Sequence, residues 1–227
     1  MKDGPHIARI AVLIGEPARA EVLTALMRDR ALTATELSHI AGVGKSTISA
    51  HLAKLLDAGL LAVEQQGRHR YFRLSGEDVA HLLESLMGVA FRTGAVRLRS
   101  SPREPTLRRA RVCYDHLAGE VGVQLYEAML ARQVLQRTPE SLTLTEGGHQ
   151  WFAHLGIDAA TSIAKRRTPC RPCLDWSERR HHLAGALGAV LLERMFELDW
   201  LRRMKDSRAL VLSVCGERAL AQLMLLP

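Results

Sequence analysis

The sequence predicts a mainly α chain with small β-wings, built in two parts. Three observations lead there. Capping signals and 3.6-residue apolar periodicity recur through residues 6–90, interrupted by one pair of short β-rich runs. The composition then changes at LRSSPREPTLRR, residues 98–109, which reads as a linker rich in Pro, Ser and Arg. Beyond it, blocks of sequence occur twice, as in stacked supersecondary units. The expected domains are residues 1–96, a linker 97–109, and a domain 110–227 whose repeats span about 110–158 and 170–227.

In the first part, Ile7, Ile10, Ala11 and Ile14 form a helical stripe that stops at Gly15-Glu16-Pro17. Pro17 suits the first turn of a second helix, 18–28, with Val22, Leu23 and Leu26 inward. Thr33 and Glu36 have capping-box spacing and open a third helix, with Leu37 and Ile40 inward. Gly42 breaks that helix, and a fourth begins near Lys45. There Ile48, Leu52, Leu55 and Leu56 fall at i, i+4, i+7 and i+8 on one face. The other face carries Ser46, Thr47, Ala50 and Lys54, flanked by Ser49 and His51. Gly59 fits a helix end, and 60–64 and 68–74 read as strands around a Gln66-Gly67 tip, the second strand crowded with Arg68, His69, Arg70 and Arg73. Ser75 and Asp78 are spaced to cap a fifth helix carrying Val79, Leu82, Leu83, Leu86 and Met87.

Two helices across a short Gly turn, followed by a basic ribbon, make a winged helix-turn-helix. Taken alone, Ser46 to Lys54 is an ordinary solvated face. Joined to the turn and the ribbon, it suits a helix lying in a major groove about 12 Å wide, where short hydroxyls reach phosphates or base edges.

From His6 through Leu86, and most specifically in KSTISAHLAKLLDAGLL followed by QGRHRYFRL, the chain resembles the ArsR/SmtB family of bacterial transcriptional repressors. The resemblance implies a homodimer joined by the first and last helices of the module. It further implies a winged helix-turn-helix on double-stranded operator DNA, released when an effector, often a metal ion, binds. The expected DNA contacts are Lys45, Ser46, Thr47, Ser49, His51 and Lys54 on the helix, and Arg68, His69 and Arg70 on the wing. Two metal sites common in that family are not matched. No Cys-x-Cys lies in 36–41, and Asp78 and His81 are followed by Phe91, Arg92 and Thr93 instead of His or Glu.

Composition sets the outer bounds. With 227 residues and 47% hydrophobic content the chain can bury a sizeable core. Its net charge of +7 fits nucleic acid or a membrane surface, but is spread as +3 over 1–99 and +4 over 100–227. No apolar run of roughly 18 residues exists and the first residues lack a signal peptide's apolar core, so the expected location is cytoplasmic, with no membrane partner. Four cysteines in a reducing compartment favour metal binding, redox sensing or burial over disulfides. No phosphate-binding Gly loop, G-x-S-x-G or H-E-x-x-H occurs, so an enzyme is not expected.

In the second part, Arg111 to Asp115 and Arg171 to Asp175 are both R-x-C-x-D. HLAGEVGVQL from His116 matches HLAGALGAVL from His182, and LTLTEGGHQWFAHL from Leu142 matches LVLSVCGERALAQL from Leu210. Each copy reads as a helix from its HLAG segment, a short strand, and a final helix after Thr145 or Ser213. These are taken as degenerate winged-helix-like repeats without a DNA-reading face, in a sensing and dimer-supporting role. Cys113 should superpose on Cys173, His116 on His182 and Gly148 on Gly216.

Cys170-Arg-Pro-Cys173 can hold a soft ion such as Zn(II), Cd(II) or Ni(II), with Cys113 and His116 as partners if the repeats face one another. Arg111, Arg167 and Arg171 would lower the thiol pKa values. Burial of Cys113 and Cys173 as small hydrophobes, a redox pair, and an organic-ligand pocket between the repeats stand beside that reading. His181, His182, His149 and His154 are undecided, and Cys215 reads as structural.

Overall fold

The structure, a computed structural model, describes residues 5–27, 31–67, 69–95, 103–163, 168–205 and 207–225. The chain divides into two units, Met1–Leu83 and Glu84–Pro227.

The first unit opens with α1 (Ile7–Ile14) and α2 (Pro17–Leu26). Glu16 caps α2 by accepting from the amides of Ala18 and Arg19, with Pro17 at the position where a missing N–H costs nothing. A short β1 (Leu32–Thr33) leads into α3 (Ala34–Ala41). The capping box is formed: Glu36 N–H donates to Thr33 Oγ1 at 3.3 Å, and Thr33 N–H to Glu36 Oε2 at 2.7 Å. Gly42, at φ +66°, ends α3 in the left-handed conformation that a side chain would resist. Then α4 (Lys45–Asp57) buries Ile48, Leu52 and Leu55, with Leu56 half-buried. Strands β2 (Leu61–Gln66) and β3 (His69–Leu74) pair antiparallel from Leu61↔Leu74 to Gln66↔His69. β1 adds to the outer side of β3, a pairing too short to be read from periodicity. Ile40, expected inward, is 38% exposed, because its turn of α3 ends beside the solvent-facing Gly42 turn.

Helix α5 (Glu77–Arg92) crosses from the first unit into the second. It buries Val79, Ala80 and Leu83, while Leu82, Leu86 and Val89, spaced i, i+4, i+7, are 39%, 42% and 46% exposed. α1 likewise leaves Ile7 and Val12 exposed and buries no residue.

The second unit continues with α6 (Arg103–Arg109), where a linker was expected. Pro105 is tolerated because it falls in the first turn, before the helix needs its amide. Residues 96–102 and 164–167 lie outside the described residues. Next come β4 (Arg111–Cys113), β5 (His116–Ala118), α7 (Glu120–Ala131), β6 (Leu135–Arg137), β7 (Leu142–Leu144), α8 (Glu146–His154) and the short α9 (Ala159–Ile163). The order hairpin, helix, hairpin, helix then returns as β8 (Arg171–Leu174), β9 (His181–Ala184), α10 (Ala186–Glu197), β10 (Leu201–Arg203), β11 (Leu210–Leu212) and α11 (Val214–Leu223).

The two sets match in detail. Arg111↔Ala118 and Cys113↔His116 across β4–β5 correspond to Arg171↔Ala184 and Cys173↔His182 across β8–β9. Gly119 and Gly185 cap α7 and α10 at φ +85° and +86°. A Cβ at either would sit 2.5 or 2.6 Å from a backbone oxygen, of Arg108 or of Thr168. Thr145 and Ser213 cap α8 and α11 through the amides of Gly148 and Gly216, each at 2.9 Å. The HLAG segments are therefore second strands ending in a Gly cap. The helix expected from them begins only after the glycine. Val112, Leu125, Tyr126 and Met129 join Leu183, Leu187, Leu191 and Met195 in one apolar core, so the halves bury one another.

Candidate functional site

Cys113 and His116 are cross-strand partners at the tip end of one hairpin, and Cys173 and His182 hold the same places on the other. All four are buried, and their Sγ and ring nitrogen ligand atoms lie within 4.8 Å of one another. The imidazole rings are tilted by 32° with centroids 5.1 Å apart. Ligands around one tetrahedral zinc, at about 2.0–2.3 Å from the ion, are spaced about 3.4–3.8 Å, so closure over an ion shortens the longest separation by at most roughly 1 Å.

Each histidine is backed by a carboxylate. His116 Nδ1 lies 3.0 Å from Asp115 Oδ1, and His182 Nδ1 lies 3.4 Å from Asp175 Oδ2. Both Nε2 atoms are buried and without a hydrogen-bond partner, and His182 Nδ1, within ion-pair distance of Asp175, makes no hydrogen bond either. A buried, unsatisfied polar atom costs free energy unless something fills it. A carboxylate on the remote nitrogen is also what orients a metal-bound imidazole.

Asp175 is held firmly. Its Oδ1 accepts from Arg111 Nη2 at 2.7 Å, Ser177 N at 2.9 Å, Ser177 Oγ at 2.8 Å and Glu178 N at 3.1 Å, and its Oδ2 accepts from Gly119 N at 2.7 Å. Burial would raise its pKa, but His182 and Arg111 hold the carboxyl well below the usual range. Arg111 is itself fully buried and lies over the Trp176 ring at 4.5 Å. Arg111 and Gly119 come from the first set of elements and Asp175 from the second, so the tie crosses the halves.

Electrostatics at the thiols differ from the sequence expectation. The Cys113 pKa is raised, first by its hydrogen bond with Cys173 and then by burial, instead of being lowered by arginines. The physical reason is that Arg111 spends its charge on Asp175. Burial would lower the pKa of His116, but Cys113 and the hydrogen-bonded Asp115 bring it up to about 9.

Cys170 is not in the cluster. Its thiol donates to the Leu142 carbonyl at 3.0 Å within the apolar core, and burial pushes its pKa up to about 11. Cys170 and Cys173 bracket the start of a strand, where positions three apart point to opposite faces, so this C-x-x-C cannot grip one ion. His182 takes the fourth place. Its signal was the repeated Cys and His of R-x-C-x-D and HLAG, which pairs one cysteine with one histidine twice. His154 Nδ1 donates within its own helix to Gln150 O at 2.8 Å, and Cys215 is exposed.

In the first unit, Lys45, Ser46, Thr47, Ser49 and Lys54 line the exposed side of α4. Ser49 Oγ donates to Lys45 O at 2.8 Å. His51 departs from that face. It is half-buried, with Nδ1 at 3.3 Å from Arg19 Nη1 and Nε2 at 3.7 Å from Glu16 Oε2. One step from Leu52, it meets the end of α2's cap instead of solvent. His69 and Arg70 are exposed on β3, with Arg70 over the Phe72 ring at 5.4 Å, and Arg68 lies outside the described residues.

A family profile described as a helix-turn-helix domain matches residues 14–64. Over 215 residues, covering 95% of each chain, the sequence is 42% identical to YdfF of Bacillus subtilis (strain 168), an uncharacterized HTH-type transcriptional regulator. It is 30% identical over 123 residues to the HTH-type transcriptional regulator Rv0324 of Mycobacterium tuberculosis (strain ATCC 25618 / H37Rv), covering 51% of this chain and 53% of that one. Among solved structures, Mb0332 of Mycobacterium bovis, described as a homodimeric winged helix-turn-helix DNA-binding domain, shares 26% identity at a TM-score of 0.36. That match covers 42% of this chain and 83% of the other.

Proposed function

Because the chain belongs to the family of helix-turn-helix transcriptional regulators, we propose that it binds operator DNA as a homodimer and releases it when a soft divalent ion fills the site of Cys113, His116, Cys173 and His182. The single observation that carries the ion is the pair of buried, unpartnered Nε2 atoms facing two buried thiols. Two sulfurs and two nitrogens suit Zn(II), with Cd(II) and Ni(II) as competitors. On the DNA side, Ser46, Thr47 and Ser49 are short enough to approach base edges, while Lys45, Lys54, His69 and Arg70 meet phosphates. Arg68 joins them as the sequence expectation on the wing. The exposed apolar stripe of α5 and the unburied α1 supply the surface that a second copy would cover. A repressor follows from this arrangement if occupancy of the site favours a dimer geometry unable to seat both α4 helices.

The test is operator binding by the full-length protein with Zn(II), Cd(II), Ni(II), hydrogen peroxide or no addition, on wild type, Cys113→Ser/Cys173→Ser and His182→Gln. Loss of operator affinity with an ion, absent from both variants, is expected. A response to peroxide alone would replace the ion by thiol oxidation, and no response at all would remove the cluster from regulation.

A further inference from the structure

The strand that carries Cys113 is fastened to α5 by a short series of contacts. Ala110 and Val112 flank Arg111 at the start of β4. Val112 N–H donates to Arg208 O at 2.9 Å, Leu210 N–H donates to Ala110 O at 2.9 Å, and Arg111 bridges to Ala209 between them. Arg208, buried, then reaches back with its side chain. Nη1 donates to Glu84 Oε1 at 2.7 Å, and Nη2 lies 3.2 Å from Met87 Sδ. Glu84 is 3% exposed, and its second oxygen is buried with no hydrogen-bond partner. A buried carboxylate with one oxygen unsatisfied is an expensive arrangement that a leucine would avoid. Glu84 sits one turn beyond Ala80 on the same unbroken helix that begins in the winged unit.

We propose that the Glu84–Arg208 pair is the connection through which occupancy of the Cys113, His116, Cys173 and His182 site biases α5, and so the winged unit. This rests on the ion-responsive reading above. Drawing Cys113 toward an ion moves β4 by up to the roughly 1 Å that closure needs. The 208–210 segment is hydrogen-bonded to β4 and moves with it. The Arg208 guanidinium is bound to Glu84 and Met87, so the displacement reaches α5 as a change in a two-point grip. Neither Glu84 nor Arg208 is a ligand, and neither lies on the proposed DNA face.

The experiment uses full-length wild type, Glu84→Gln, and Glu84→Leu/Arg208→Met, the last removing both charges so that none is left buried alone. Co(II) serves as the ion, because its visible absorption reports tetrahedral thiolate binding independently of DNA. Operator affinity is measured with and without Co(II) by fluorescence anisotropy. Wild type should lose operator affinity on the order of 5- to 150-fold when loaded, the range of ordinary site-to-site coupling. Both variants should bind Co(II) with wild-type stoichiometry and spectrum, hold ion-free operator affinity, and lose less than about twofold on loading, which corresponds to coupling near zero. A variant that binds Co(II) and releases DNA as wild type does overturns the connection alone. A wild type that binds Co(II) without releasing DNA, or never binds it, overturns the ion-responsive reading and this connection together.

Discussion

Replacing Asp175 by alanine should unsettle the second unit more than removing any exposed charge. The substitution deletes the acceptor for Arg111, Ser177, Glu178 and the Gly119 amide, and leaves Arg111 as a fully buried guanidinium without its anion. Breaking a buried ion pair from one side costs about 3–5 kcal/mol. Ser177 Oγ at 3.1 Å and the Trp176 face at 4.5 Å stay with Arg111, which places this site toward the lower figure. With a urea m-value of about 2 kcal/mol/M, the midpoint should fall by about 1.5 M. The three tryptophans, Trp151, Trp176 and Trp200, all belong to Glu84–Pro227, so their fluorescence follows this unit without signal from the winged one. Adding Arg111→Met should recover part of the loss, because no charge is then stranded. A midpoint shift below about 0.5 M for Asp175→Ala, or a double variant no more stable than the single one, would refute the claim that the pair anchors the halves.

Three further outcomes follow from the geometry. Cys170→Ser should leave ion stoichiometry unchanged in a Co(II) titration, since that thiol points into the core at Leu142 O, whereas His182→Gln should abolish tetrahedral binding. Lys54→Ala with Arg70→Ala should weaken operator binding on every sequence and flatten the log–log salt slope by about 0.9 for each phosphate no longer neutralised, while Ser46→Ala with Thr47→Ala should relax sequence preference with little change of slope. Burial would raise the Glu84 carboxyl, but Arg208 and Arg111 hold it below its ordinary 4.5, so the stability it lends is present above that value and lost as pH falls through the folded one. Urea midpoints of wild type between about pH 5 and 3 should therefore drop more steeply than those of Glu84→Gln.

Much of the winged unit was legible because its signals are local. The Thr33–Glu36 box, the Gly42 break and the Ile48–Leu52–Leu55 stripe each depend on residues within one or two turns, and each formed where spacing placed it. The partners of His51, Glu16 and Arg19, were not legible because they lie more than 30 positions earlier, where periodicity has no reach. The HLAG segments misled in a different way. Their apolar content suits a helix or a buried strand equally, and the deciding fact is the Gly119 and Gly185 backbone at positive φ, which separates strand from helix. At the site, three of four expected ligands came together. Cys170 was favoured by its nearness to Cys173 in sequence, but alternation along the strand start turns it away, and the repeat that linked His116 to His182 was the better guide. Arg111 and Asp175 both stand in the repeated R-x-C-x-D, but the motif does not say that the pair crosses from one copy to the other, and the Glu84–Arg208 pair, 124 residues apart, left no pattern in the chain to read.

Each hairpin supplies one cysteine and one histidine, and that division orders events in time. A ribosome adds about 5–20 residues per second, so the roughly 100 residues between Leu83 and His182 take about 5–20 s to appear. During that interval the nascent chain already contains every residue of Met1–Leu83, but never all four of Cys113, His116, Cys173 and His182. A chain stopped anywhere in that window would carry Met1–Leu83 without the full set of Cys113, His116, Cys173 and His182. In the proposed regulator, control by an ion is therefore acquired only after the helix-turn-helix unit has been made.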